Sequence, residues 1–120
     1  MADGAPEVQV FGTRGCADTR KALRFFSERR IKAHFVDLKE RAASKGELKR
    51  FAQKFGVDAL VDRASKRCVA RGLKAAQYGE ERWLEILEEE PLLLRTPLVR
   101  RGKDLTVGAA EEVWRGWTSP

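Results

Sequence analysis

Apolar residues along this chain gather in short runs near both ends and recur at helical spacing between them. Val8, Val10 and Phe11 form a short strand-like run that stops at Gly12 and Gly15. The period then changes. Thr19, Ala22, Leu23 and Phe26 recur three and four apart, while Arg20, Lys21, Arg24 and Glu28 take the other faces, which predicts a helix from Cys16 to about Arg30. "IKAHFVDL" predicts a second strand centred on Phe35 and Val36. A helix linking two strands makes a βαβ unit, in which the strands run parallel.

The middle of the chain is helical in pattern. Ser44-Lys-Gly-Glu47 has the form of a capping box, the serine accepting from the third helical amide and the glutamate reaching back. Leu48, Phe51, Ala52 and Phe55 follow at helical spacing, and Gly56 offers a left-handed stop. "VDALVDR" suggests a further short helical turn, residues 64–78 read as basic loop, and "GEERWLEILEEE" packs Trp83, Ile86 and Leu87 on one face of a helix that Pro91 ends. The three glutamates closing that run read as a solvated helix end, poorly placed beside the negative pole of the helix.

After Pro91 the period returns to strands. "RTPLVR" and "DLTVG", joined by "RGK", predict a hairpin, and "AAEEVWRGW" predicts a last helix with Val113, Trp114 and Trp117 for packing. The order is an α/β one: β-α-β, a helical insertion over about 41–90, then β-β-α, in a single domain covering residues 1–120. No repeat interrupts it.

Composition changes this picture little. Of 120 residues, 42% are hydrophobic and 35% charged, as in an ordinary globular domain. The longest apolar run, "PLLL", is far too short to span a bilayer, and "MADGAPEVQV" has no basic start followed by an apolar core, so neither a membrane association nor export is expected. The expected location is the cytoplasm, where thiols stay reduced. The net charge of +6, from 24 Lys and Arg against 18 Asp and Glu, invites anionic partners but is spread along the chain, so charge without a binding module makes nucleic acid an improbable partner. His34, the one histidine, with two distant cysteines offers no metal site.

Candidate chemistry centres on Cys16. It follows a strand and a glycine-bearing turn and opens a helix, where unpaired amides and the helix dipole favour a negative charge such as a thiolate. Arg14, Arg20 and Lys21 add to this and Asp18 opposes it, while Gly12 and Gly15 let amides approach an oxyanion. Position alone leaves a reactive thiol and an inert buried one equally open.

The runs "VFGTRGCADTRKALRFF" and "PLLLRTPLV…GKDLTVG", on either side of a helical segment, resemble the ArsC/Spx family of glutaredoxin-coupled arsenate reductases and Spx-like regulators. The resemblance covers about Val8 to Trp117 and is most specific in "C-x-x-T-R-K-A" and in the late "P-x-L-L…P-L-V". It implies a thioredoxin-like mixed sheet with a helical insertion between the second and third strands. It also implies a thiol-dependent oxidoreductase, arsenate reductase-like, with Cys16 as nucleophile, no resident cofactor, and glutathione or glutaredoxin as reductant. Through "ALVDRAS" it places Arg63 as an oxyanion clamp. Arg14, Gly15, Thr19, Arg95, Thr96 and Pro97 complete the expected substrate site, with Thr19 able to donate to the thiolate one turn on.

The match departs from the family at two places. The family's arginine directly before the proline is Thr96 here, and Arg95, one residue earlier, faces the other side of a strand unless a cis peptide redirects it. A further arginine of the last hairpin has only Lys103 near its place. Together these broaden the expected substrate from arsenate to a small oxyanion or a disulfide. Spx-like regulators often carry C-x-x-C at this point. Here Thr19 replaces the second cysteine, leaving Cys68 as the alternative resolving thiol and an RNA polymerase-binding module without turnover as the alternative function.

Overall fold

A computed structural model describes residues 7–118. The N-terminal stretch read above for an export signal begins outside those residues. Contacts divide the chain into two compact units: the chain up to Asp37 together with the chain from Thr96 onward, and Leu38–Arg95.

The first unit is built on a four-stranded sheet. Strand β1 (Glu7–Gly12) leads through helix α1 (Ala17–Glu28) to β2 (Lys32–Asp37), and β3 (Leu98–Arg101) and β4 (Asp104–Val107) form the hairpin before α5 (Glu111–Thr118). The strand order is β2-β1-β3-β4. β1 pairs parallel with β2, placing Val10 opposite Phe35, and antiparallel with β3, placing Val10 opposite Val99. β3 and β4 are antiparallel, so the sheet is mixed, as expected.

The apolar pattern explains the packing. Val8, Val10, Ala22, Phe25, Phe26, Val99 and Trp114 form one buried cluster, with Trp117 partly buried against it. The Trp114 indole lies 5.5 Å from the Phe25 ring and 5.4 Å from Phe26 between centroids. Its Nε1–H donates to Thr106 Oγ1 at 2.9 Å, which satisfies a buried polar pair. Removing water from this much aromatic surface is what holds α1 and α5 to the sheet.

The second unit is helical. Helix α2 (Lys45–Phe55) begins with the capping box read from the sequence: Glu47 N donates to Ser44 Oγ at 3.1 Å and Ser44 N to Glu47 Oε1 at 2.9 Å. Leu48, Phe51 and Ala52 are buried, and Gly56 ends the helix at φ +84°. Phe55, expected on the same stripe, is instead exposed at 38%, because the chain turns away at Gly56 immediately after it. Val57–Leu60 is a 3-10 turn.

The stretch read as loop contains a short helix, α3 (Lys66–Ala70), whose start is capped by Ser65 Oγ accepting from Cys68 N at 3.1 Å. Helix α4 (Glu80–Glu89) buries Trp83, Leu84, Ile86 and Leu87. Its acidic end is not merely solvated, as the sequence suggested. Glu88 Oε2 accepts from Lys45 N, an otherwise orphaned amide at the start of α2, at 3.0 Å, and Glu90 pairs with Arg71.

Candidate active site

Cys16 is the N-cap residue of α1, with extended backbone angles, and its sulfur is only partly exposed. The strand-to-helix turn is closed by Cys16 N donating to Thr13 O at 3.1 Å, and the first intrahelical bond runs from Arg20 N to Cys16 O at 3.1 Å. Thr96 reaches the same sulfur from the segment entering β3. Its Oγ1–H donates to Cys16 Sγ at 3.1 Å, and its carbonyl oxygen lies 3.8 Å from the sulfur as a weak acceptor for the thiol proton. The Thr96–Pro97 peptide is cis, Pro97 is buried, and Pro97 O accepts from Gly108 N at 2.8 Å.

Opposing influences act on this thiol. Partial burial is the largest single one and pushes its pKa up. Against it stand the hydroxyls of Thr19 and Thr96 and the backbone amides of Thr19 and Asp18. Together they prevail, holding the Cys16 pKa below that of an ordinary thiol. The amides belong to the first turn of α1, which has no intrahelical acceptor for them. A nucleophile with a stabilised anion is the chemical product of this arrangement.

The other residues expected at the site separate into two groups. Thr19 is fully buried beneath the turn, and Thr96 and Pro97 adjoin the sulfur. Arg14 is exposed: its guanidinium stacks on the Phe35 ring, 4.8 Å from the centroid, and its carbonyl accepts from Arg20 at 2.6 Å. At Gly15 a Cβ would meet open space, so crowding gives no reason for a glycine there. Gly12, expected to admit amides to an anion, has a different reason. A Cβ on it would stand 2.3 Å from Thr19 Oγ1 and 2.7 Å from Thr19 Cγ2.

Arg63 and Arg95 belong to the second unit and bind its own backbone. Arg63 Nη1 donates to the carbonyls of Ala76, Lys74 and Leu73, its Nη2 to Asp58 Oδ1 at 2.8 Å, and its guanidinium lies 5.0 Å from the Trp83 ring centroid. Arg95 Nε donates to Ala59 O at 3.3 Å and its N to Leu60 O at 2.7 Å. Both guanidinium groups thus make bonds within the helical unit: Arg63 through Nη1 and Nη2, Arg95 through Nε. Cys68 is completely buried in α3, where a small apolar side chain is what the packing asks for, and both cysteines are free. The outermost candidates are exposed: His34 pairs with Glu7 at the sheet surface, and Lys103 sits in the hairpin turn. Among the described residues no cluster of three or more His, Cys, Asp or Glu could hold a metal ion, and no helix is long and apolar enough to cross a membrane.

Residues 11–117 match the model of the ArsC family. The chain belongs to the ArsC family. The Bacillus subtilis (strain 168) protein YusI is 29% identical over 101 residues, spanning 81% of this ArsC-family chain and 86% of YusI. An arsenate reductase structure from Vibrio cholerae superposes with a TM-score of 0.81 at 22% identity, covering 93% of this chain and 98% of that one. An ArsC family related protein from Bacteroides fragilis superposes at 0.84 with 19% identity, covering 94% and 98%. At such identities the solved structures establish the fold, which is thioredoxin-like. Membership of the ArsC family, with the geometry at Cys16, supports thiol-dependent oxidoreductase chemistry.

Proposed function

We propose that this ArsC-family protein reduces a disulfide electrophile with Cys16 as its single nucleophile and an external thiol of the glutathione class as reductant. The observation that carries the reading is the Cys16 sulfur at the open turn of α1, held by the Thr96 hydroxyl at 3.1 Å. Two further observations shape it. Cys68 is buried in the other unit, which favours an external second thiol over an internal pair. Arg63 and Arg95 are committed to carbonyls of their own unit, and a threonine precedes Pro97, which favours a disulfide over a tetrahedral oxyanion.

In the first step the Cys16 thiolate attacks one sulfur of the substrate disulfide. A new S–S bond forms to Sγ, the substrate S–S bond breaks, and the departing thiolate takes a proton from solvent. A reductant thiolate then attacks the substrate sulfur of the mixed disulfide, and the electron pair of the broken bond returns to Sγ. That attack leaves the substrate sulfur in a disulfide with the reductant. A second reductant thiol, or glutaredoxin acting downstream, breaks this bond, so that two thiols in all give up the two electrons the substrate disulfide gains. A reducing compartment such as the cytoplasm suits this cycle.

Turnover of a glutathione mixed disulfide, coupled to glutathione, glutaredoxin and NADPH consumption, tests the reading. The disulfide is expected to turn over at least about tenfold faster than arsenate, the discrimination expected when a charged ligand lacks one guanidinium partner. Faster arsenate turnover would contradict the choice of substrate. No turnover of either, with RNA polymerase retained on the immobilised protein, would favour the regulatory alternative.

A further inference from the structure

Thr19 presents an anomaly. Its residue is fully buried, yet Oγ1 makes no hydrogen bond of ordinary geometry among the described residues, although its hydroxyl is one of the groups that favour the Cys16 anion. A threonine inside a helix ordinarily bonds back to a carbonyl one turn earlier, and a buried hydroxyl left without a partner calls for a reason. Three residues along α1 from the N-cap sulfur, it lies on the same face of the helix as Cys16. The space it occupies exists because Gly12 has no side chain: a Cβ there would overlap Oγ1 at 2.3 Å, Cγ2 at 2.7 Å and Thr19 Cβ at 3.1 Å. Gly12 cannot readily yield, since it is paired with Asp37 at the end of the central strand.

We propose that Gly12 is a positioning residue for the reaction at Cys16, vacating the space in which Thr19 holds a hydroxyl in reserve for negative charge on the sulfur. The inference rests on the thiolate reading of Cys16. The two threonines then divide the work. Thr96 already donates to Sγ while its carbonyl weakly accepts the thiol proton, and ionisation removes that second contact. Thr19 is the donor with nothing else to bond. It becomes engaged when the sulfur carries charge, both in the resting thiolate and when the mixed disulfide breaks and its electron pair returns to Sγ. The charged groups nearest the turn in sequence and strand register are Arg14, Asp18, Arg20, Lys21 and Asp37. None of their charges is among the causes that lower the Cys16 pKa, so hydroxyls and amides do the stabilising at the sulfur itself.

The test follows iodoacetamide labelling of the Cys16 peptide by mass spectrometry across pH, with thermal unfolding in parallel. It compares the native protein with Gly12→Ala, Thr19→Val, Thr19→Ser and Gly12→Ala/Thr19→Ser. Thr19→Val and Gly12→Ala are each expected to move the midpoint of labelling toward higher pH and to slow labelling at neutral pH by roughly tenfold, the value of one hydrogen bond to a charged group. Thr19→Ser keeps the hydroxyl and should label like the native protein. Placed over Gly12→Ala it removes Cγ2, frees the hydroxyl to turn, and should restore the native profile. A Thr19→Val profile identical to the native one overturns the proposal, whether or not Gly12→Ala folds. A Gly12→Ala profile that stays native, or that the added serine fails to restore, overturns the role of Gly12. An ordinary thiol profile in the native protein instead overturns the reading of Cys16 on which all of this depends.

Discussion

Replacing Cys16 by serine is expected to abolish thiol-coupled turnover, a loss of at least about a thousandfold, with thermal stability little changed. The hydroxyl cannot ionise near neutral pH, so the stabilisation supplied by the Thr19 and Asp18 amides and by the threonine hydroxyls has no anion to act on. Serine is close in size to cysteine and can keep the bond from Thr96 Oγ1, which is why the fold should tolerate it. Cys68→Ser is the control. It places a hydroxyl in the fully buried centre of the helical unit, so it should lower stability while most turnover per folded molecule remains. Equal losses of turnover in the two variants would contradict the single-nucleophile mechanism and indicate a pair of cooperating thiols.

Trp114→Ala carries the largest expected cost in stability. The indole is completely buried, packs on both Phe25 and Phe26, and satisfies the Thr106 hydroxyl. Truncation leaves a cavity of aromatic size and removes that partner, together worth about 3–5 kcal/mol. Domains of this size hold only about 5–15 kcal/mol in total, so the variant should unfold at much lower urea concentration. Because α1 packs on this same cluster, loosening it should also blunt Cys16 reactivity. A loss below about 1 kcal/mol in urea unfolding would mean that α5 is not what closes the sheet.

Much of this architecture was legible because its signals are local. The switch from the Val8–Phe11 run to helical spacing, the Ser44/Glu47 pair and the stop at Gly56 each lie within a few residues, and each appears in the structure as read. What escaped has two physical origins. Helix α3 is five residues long, too short to show a period, and only Ser65 marked it. The rest depends on partners distant in sequence. Glu88 serves an amide 43 residues away, and Thr96 serves a sulfur 80 residues away. Arg63 bonds to the carbonyls of a loop whose course no pattern foretold.

The site shows the same division. Cys16 stood out as a candidate from the turn and helix start around it, where position left a reactive and an inert thiol equally open, and Thr19 entered through the family resemblance. Spacing alone could not show that Gly12 is shaped around Thr19, nor that the threonine before Pro97 is a donor to sulfur. The departure from the family's arginine at Thr96 was visible in the sequence, but its consequence was not.

Folding lowers the Cys16 pKa below that of the same thiol in the unfolded chain. A thiol whose pKa is lowered by folding also lends the fold stability above its unfolded pKa, near 8.5, and loses it as pH falls through the folded value. Ultraviolet thiolate absorbance, titrated for the native protein with the Cys16→Ser signal subtracted, reads this ionisation directly. A midpoint clearly below that of the urea-unfolded protein is expected, and a midpoint equal to or above it would contradict the account.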